Sequence, residues 1–113
     1  MRALQITNTF ALSLRELSLR YPDSVHWANS IYKVASQVAA GRSPTWCDDH
    51  PLRGAYKAYR SFKPLGEDPD LMVVYTSAKR SITLVDIGVH KRFFTKGRKT
   101  KMTRLAKTRA NLE

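Results

Sequence analysis

The feature that most constrains the fold is a pair of apolar runs in the second half of the chain. The runs are "LMVVYTS" and "SITLVDI", and only the short polar stretch "AKR" separates them. Runs of this length that are rich in β-branched residues predict strands, and so tight a connection predicts an antiparallel hairpin. Such a hairpin needs a second layer to bury its apolar side chains, and the first half of the chain supplies one.

Two amphipathic helices are predicted in that first half. Phe10, Leu14 and Leu17 recur at helical spacing, which indicates a helix over about residues 9–20. The stretch "YPDS" interrupts the pattern, and a second helix is predicted after it. Gly41 is expected to follow the last turn of the second helix as its left-handed C′ residue. The apolar face expected on that helix consists of Trp27, Ile31, Val34, Ala35 and Val38.

Two further strands complete the predicted sheet. "RALQI" is expected to be the first strand, with Leu4 and Ile6 pointing inward, and "AYKAYRSF" is expected to precede the hairpin. The order β-α-α-β-β-β predicts an α+β domain, in which a helical hairpin packs on one face of a small antiparallel or mixed sheet. The other face is then free for function. Strand alternation predicts that Lys57, Tyr59 and Lys63 lie on that free face.

The charge and the cysteine content narrow the class of partner. Twenty Lys and Arg against nine Asp and Glu give a formal charge of +11, which favours an acidic partner such as nucleic acid. Cys47 is the single cysteine, so no internal disulfide is expected and a reducing cytoplasm is the simpler location. The polar residues within the N-terminal stretch argue against a membrane span. "CDDH" holds ligand-type residues in one consecutive run without a partner cluster, so neither a metal nor a cofactor is expected.

Several short motifs occur in an order that resembles a known family. The chain is similar to the YafQ-like branch of the RelE/ParE toxin superfamily over about residues 2–94, which predicts a toxin domain at 1–94 and a basic tail at 95–113. The tail carries seven cations and one anion. The residues that carry the resemblance are His50, Pro51, Leu52, Gly54, Arg60, Pro69, Asp70, Tyr75, Gly88, His90 and Phe94.

The resemblance implies a cytoplasmic toxin of a type II toxin-antitoxin system, held silent by an antitoxin encoded beside it. Such a toxin cuts messenger RNA on the ribosome without a metal, by acid and base catalysis through the ribose 2′-hydroxyl. By carry-over from the family, the catalytic candidates are His90, His50 and Asp70. The candidates for binding RNA or phosphate are Lys57, Arg60, Lys63, Lys91, Arg92 and Phe94.

Three departures from the family pattern leave alternatives open. Asp86 stands where the family often has a phosphate-binding arginine, Lys63 where it often has a histidine, and Leu71 where it often has a tryptophan. A carboxylate facing the scissile phosphate would repel it, so either Asp86 points elsewhere or another cation binds the phosphate. The alternatives are a non-catalytic ParE-like inhibitor of DNA gyrase and a basic ribosome- or RNA-binding module that has lost cleavage.

Overall fold

A computed structural model describes residues 2–21, 24, 26–66 and 70–89 of the chain. In this part of the chain, two α-helices and five strands form an α+β domain, as predicted. The elements are β1 (Ala3–Ile6), α1 (Asn8–Arg20), α2 (Trp27–Ala39), β2 (His50–Pro51), β3 (Arg60–Phe62), β4 (Leu71–Ser77) and β5 (Ser81–Val89). Two short 3₁₀ turns, Thr45–Cys47 and Gly54–Tyr56, lie in the connections around β2.

The strands form one mixed sheet in the order β1-β5-β4-β3-β2. β1 runs parallel to β5, and the other neighbouring pairs are antiparallel. The predicted hairpin is confirmed as β4 and β5, and its turn is closed by a 2.8 Å hydrogen bond from Ala78 N to Ser81 O. The pairing of β4 with β5 contains a β-bulge. Val74 pairs with Asp86 and Tyr75 pairs with Leu84, so Val85 is an extra residue in β5.

The inner face of the sheet, which we define as the face covered by α1 and α2, holds the main core. Its apolar side chains are almost completely removed from water because helix and strand residues interdigitate there. At the edge, Leu4 packs against this core, whereas Ile6 is 46% exposed, so the prediction that Ile6 points into the core is wrong. The main core comprises Phe10, Leu17, Ile31, Val34, Ala35, Val38, Ala39, Cys47, Phe62, Leu71, Val73, Tyr75, Ile82, Leu84 and Ile87.

Local hydrogen bonds define where the helices begin and end. The hydroxyl of Thr7 accepts a 3.0 Å bond from Phe10 N and donates a 2.7 Å bond to Val85 O, so one side chain caps α1 and ties it to β5. At the end of α2, Gly41 adopts a φ of 75°. The bonds Gly41 N to Val38 O and Arg42 N to Gln37 O complete a Schellman motif, which confirms the predicted role of Gly41.

The outer face, which we define as the face opposite the helices, carries a second and smaller apolar cluster. Leu52, Tyr59, Met72, Val74 and Val85 form it, with Tyr56 packed against them. The rings of Tyr56 and Tyr59 have centroids 6.2 Å apart. The outer face is therefore largely apolar in its middle, although the buried polar residues Ser61 and Asp86 both pair with Val74 there.

The strand predicted over "AYKAYRSF" is shorter than expected. Only Arg60–Phe62 is extended, because Gly54 with a φ of 65° turns the chain into the 3₁₀ turn and a further turn follows at Lys57. The alternating aromatic residues imitate a strand pattern but pack into the outer cluster. Tyr59 is only 2% exposed, so the prediction that it is a free ring between two lysines is wrong.

β2 is a two-residue strand that the sequence analysis did not predict. His50 pairs with Ser61 and Pro51 with Arg60, which makes β2 the outermost strand at this side of the sheet. Within the described residues, no helix is long and apolar enough to cross a lipid bilayer.

Candidate active site at one end of the outer face

Four points of the chain meet at the same end of the sheet. Because β2, β3, β4 and β5 are successively antiparallel, the start of β2, the end of β3, the start of β4 and the end of β5 lie side by side. These points bring together His50, Lys63, Asp70 and Val89. The topology therefore gathers three of the residues that the sequence analysis selected, His50 from β2 and Lys63 and Asp70 from the two ends of the β3–β4 connection.

His50 lies on the outer face, since its strand partner Ser61 pairs in turn with Val74 of the outer cluster. The side chain is 48% exposed. Its Nδ1 lies 2.7 Å from the carbonyl oxygen of Asp48. A carbonyl oxygen can only accept, so Nδ1 carries the proton, and the neutral ring keeps its lone pair on Nε2. His50 is thus held in the tautomer that a general base at Nε2 requires.

The turn before β2 orients this ring. Asp48 is the non-glycine residue with a positive φ in the described part of the chain, at φ 53° and ψ 48°, and it ends the Thr45–Cys47 turn. The left-handed conformation of Asp48 reverses the chain, so that its carbonyl meets the ring of His50 two residues later. The carboxylate of Asp48 also lies 3.6 Å from His50 Nδ1.

Lys63 and Asp70 form an ion pair beside this histidine. Lys63 Nζ lies 3.3 Å from Asp70 Oδ1, and their side chains are 16% and 37% exposed. Lys63 directly follows β3 and Asp70 directly precedes β4, so the pair closes the gap between these strands. Strand spacings place the Cα atoms of His50 and Lys63 about 8 Å apart. The ammonium group and the imidazole therefore belong to residues at the same end of the sheet.

A network of polar side chains anchors the loop that carries His50. Tyr75 donates a 2.5 Å hydrogen bond to Asp49 Oδ1, and Arg60 Nε donates to Tyr75 Oη at 3.0 Å and to Asp49 Oδ1 at 3.3 Å. Ser43 donates to the other carboxylate oxygen of Asp49 at 2.8 Å. Asp49 thus ties its loop to both β3 and β4, immediately before His50.

The surroundings of this network keep Tyr75 protonated and Arg60 charged, and these are the forms in which both side chains donate hydrogen bonds. Burial, followed by the hydrogen bond to Asp49, raises the pKa of Tyr75 well above its ordinary value, so the hydroxyl stays a donor. Burial opposes the charge on Arg60, but the hydrogen bond to Tyr75 and the carboxylate of Asp49 outweigh it and raise the pKa of the guanidinium. The network is therefore a neutral phenol between a fixed cation and a carboxylate.

The four residues of "CDDH" point into different environments. Cys47 is fully buried in the main core, where burial and then the charge of Asp49 raise the pKa of its thiol. Asp48 is exposed, Asp49 belongs to the anchoring network, and His50 lies on the outer face. Among the described residues, no group of three or more His, Cys, Asp or Glu side chains is arranged to hold a metal ion.

Asp86 lies on the outer face but does not reach the surface. It pairs with Val74 across the sheet, is fully buried, and accepts a 2.8 Å hydrogen bond from Ile87 N. Asp86 also takes part in a further interaction within the protein. Since its carboxylate is closed off from solvent, Asp86 does not present a charge to a ligand at the exposed end of the sheet.

The remaining predicted residues divide into two groups. Lys57 is exposed in the turn before β3, and Arg60 pairs with Tyr75 of the inner core, so its guanidinium is engaged by the anchoring network. The other group lies outside the described residues and comprises His90, Lys91, Arg92 and Phe94. His90 is the next residue in the sequence after Val89, which is the last residue of β5 and pairs with Leu71.

Sequence reasoning did not predict how the site is held in place, although Tyr75 was among the residues that carry the family resemblance. Asp48 acts through its backbone carbonyl, which no side-chain pattern reveals. Asp49 and Tyr75 are 26 residues apart in the chain, and their contact depends on the pairing of β3 with β4. The one available signal was the presence of two carboxylates directly before His50, which predicts local pairing but not the partner.

The chain is similar to known proteins in both sequence and fold. The family described as "bacterial toxin of type II toxin-antitoxin system, YafQ" matches residues 2–95 of the chain. No curated protein sequence matches it.

The solved structures that share the fold include the following three. A copper-bound leucine-to-serine mutant toxin from Helicobacter pylori is 24% identical with a TM-score of 0.65, over 83% of this chain and 100% of that chain. The DinJ-YafQ toxin-antitoxin complex from Escherichia coli contains a chain that is 20% identical with a TM-score of 0.65, over 82% of this chain and 97% of that chain. A histidine-to-glutamine mutant of YafQ from the same organism is 19% identical with a TM-score of 0.65, over 83% and 99%.

Proposed function

The chain belongs to the YafQ family of bacterial toxins of type II toxin-antitoxin systems, and we propose that it is an endoribonuclease that cuts messenger RNA on the ribosome. The family match confirms the resemblance seen in the sequence. The observation that carries the proposal is the geometry of His50, an exposed imidazole whose Nδ1 is bonded to a backbone carbonyl. That geometry leaves Nε2 available to take a proton.

In the proposed reaction, His50 Nε2 removes the proton from a ribose 2′-hydroxyl. The freed oxygen attacks the adjacent phosphorus, and the bond from phosphorus to the 5′-oxygen of the next nucleotide breaks. A general acid returns a proton to that 5′-oxygen, and we assign this role to His90. The products are a 2′,3′-cyclic phosphate and a free 5′-hydroxyl, so atoms and charge balance without a metal or a redox partner.

Lys63 is the proposed source of positive charge for the phosphate. Charge accumulates on the two non-bridging oxygens as the 2′-oxygen attacks, and an ammonium near them stabilises the transition state. The ion pair with Asp70 fixes the ammonium in a partly buried position, so we assign Asp70 the role of positioning Lys63. This arrangement replaces the arginine that the family often has at the position of Asp86, whose carboxylate is buried.

The other cations of the chain are proposed to bind RNA without entering the reaction. Lys57 is exposed at the opposite end of β3 from Lys63, where it would contact the RNA backbone away from the cleavage point. We propose the same role for Lys91 and Arg92, with Phe94 stacking on a base, and for the tail at 95–113, whose seven cations add affinity that falls with salt.

The proposed partners are messenger RNA on the ribosome, in the cytoplasm, and an antitoxin encoded beside the toxin. The solved complex of DinJ with YafQ supports the second partner, since YafQ shares this fold. A net charge of +11 favours an acidic antitoxin, which neutralises the cationic surface when it binds.

The experiment that tests the proposal is mapping of message ends by primer extension in a reconstituted translation system. The purified full-length chain is expected to create new ends at discrete positions, and only when ribosomes are translating the message. The His50→Ala, His90→Ala double variant is the matched control and is expected to leave the message intact. Intact message with the unaltered chain, together with inhibition of gyrase supercoiling, would replace the proposal with the ParE-like alternative.

A further inference from the structure

The exposed face of α1 carries two leucines that nothing in the described domain covers. Leu12 is 61% exposed and Leu19 is 80% exposed, whereas the inner face of the same helix buries Phe10, Ser13 and Leu17. Single exposed leucines are common on protein surfaces and need no explanation. Two on one helix face, separated by two turns, form a stripe that a partner surface can cover.

The residues between the leucines lie on the same stripe. Leu12, Arg15 and Leu19 are spaced by three and four residues, and Glu16 is four residues after Leu12, which places all four side chains on one side of α1. Each of the four is exposed. The stripe therefore has an apolar group at each end and one cation and one anion at its centre.

The sequence of this stripe has an internal two-fold pattern. Residues 12–19 are "LSLRELSL", in which the order Leu-Ser-Leu is the same when read from either end. The two central residues differ in charge, since Arg15 is a cation and Glu16 is an anion. A two-fold axis between Arg15 and Glu16 would set Leu12 of one copy against Leu19 of a second copy. The same axis would set Arg15 of each copy against Glu16 of the other.

From this pattern we infer that α1 is a self-association surface, and that its occupant is a second copy of the chain in antiparallel orientation. The contact is isologous, since every pair in it occurs twice. The stripe is complementary to itself, which argues for a second copy as its occupant. Charge then selects the orientation: a parallel arrangement brings Arg15 against Arg15, whereas the antiparallel one pairs opposite charges at both positions. Glu16 also takes part in an interaction within its own chain.

The geometry also sets the strength of the contact and its relation to the candidate active site. One helix face per copy is smaller than the ~800 Å² per partner of a stable protein interface, so a weak and reversible dimer is expected.

α1 lies over the inner face of the sheet, and His50 lies on the outer face. Both active sites of the dimer therefore stay open to RNA.

Charge exchange at the two central residues gives a direct test by analytical ultracentrifugation of the full-length chain. Arg15→Glu places two glutamates against each other at both contacts, and Glu16→Arg does the same with two arginines, so each variant is expected to be monomeric. A one-to-one mixture of these two variants restores opposite charges and is expected to form a heterodimer. The Arg15→Glu, Glu16→Arg double variant is expected to dimerise like the unaltered chain.

A second variant tests the apolar part of the stripe. Leu19→Ser changes a side chain that is 80% exposed, so it is expected to leave folding unchanged, as judged by circular dichroism, and to weaken the dimer at least tenfold. A chain that stays monomeric at every concentration overturns the inference, as does a mixture of the charge variants that fails to associate. Binding of the antitoxin by this stripe instead, seen as loss of antitoxin affinity in Leu19→Ser without any self-association, also overturns it. None of these results bears on RNA cleavage.

Discussion

The two faces of the sheet are built from the same strands but are filled differently. The inner face meets α1 and α2 over a continuous apolar core that includes Phe10, Phe62 and Leu84. The outer face has a smaller apolar cluster, and one of its ends carries His50 and the Lys63–Asp70 ion pair. Burying apolar area explains the first face completely. It does not explain why a half-exposed histidine and a partly buried ion pair stand together at one end of the outer face.

The largest expected effect is a difference in how much each face of the sheet contributes to the free energy of unfolding. Leu84 is fully buried in the inner core and Leu52 is 8% exposed in the outer cluster, so the same substitution can be made on each face. Leu84→Ala is expected to lower the free energy of unfolding by about 4–5 kcal/mol, and Leu52→Ala by about 2 kcal/mol. Urea denaturation measures both. Equal losses would mean that the outer cluster is as important for stability as the inner core.

The next effect concerns chemistry at the outer face. Lys63→Gln is expected to lower the rate constant of cleavage about 100-fold, because the developing charge on the phosphate loses its cation. Lys57→Gln is the matched control, since it removes the same charge at the other end of β3. The control is expected to weaken RNA binding at low salt and to leave the rate constant at saturating ribosomes unchanged. Equal effects on the rate constant would show that the position of Lys63 is unimportant.

A smaller effect is expected at Tyr75, which joins the two faces. Its ring packs in the inner core, and its hydroxyl bonds to Asp49 in the loop that leads to His50. Tyr75→Phe is expected to cost about 1–2 kcal/mol of unfolding free energy at neutral pH, because Asp49 and Arg60 each lose a buried partner.

The pH dependence of that cost follows from the raised pKa of Tyr75. The folded protein holds the phenolic proton at a pH where the unfolded chain releases it, so this contribution is complete below about pH 10 and is lost as the pH rises further. The difference between the unaltered chain and Tyr75→Phe should therefore shrink above about pH 10. A difference that stays constant up to pH 11 would contradict the assigned environment of the hydroxyl.

The fold was largely predictable because its main signals are local. The periodicity of α1 and α2, the left-handed Gly41 and the tight β4–β5 connection each depend on residues that are close in the sequence. The errors arose where packing overrode a local pattern. "AYKAYRSF" alternates like a strand, but a positive φ at Gly54 and the burial of Tyr59 in the outer cluster shorten it to three residues.

The candidate site was predictable only in its residue types. His50, Lys63 and Asp70 were selected from the sequence, and antiparallel pairing of four strands brings them to one end of the sheet. The parts that fix their geometry depend on contacts distant in sequence, such as Tyr75 with Asp49, or on a backbone carbonyl at Asp48. Neither kind of contact leaves a pattern in the amino-acid sequence.

The most direct test of the account is a paired measurement on His50→Ala, of the free energy of unfolding and of the rate of ribosome-dependent cleavage. His50 is about half exposed and lies outside both apolar clusters, so its removal is expected to change the free energy by less than about 0.5 kcal/mol. The cleavage rate is expected to fall by about a hundredfold to ten-thousandfold, the usual effect of losing a general base. A folded His50→Ala variant that cleaves message at the original rate would contradict the assignment of catalysis to this end of the outer face.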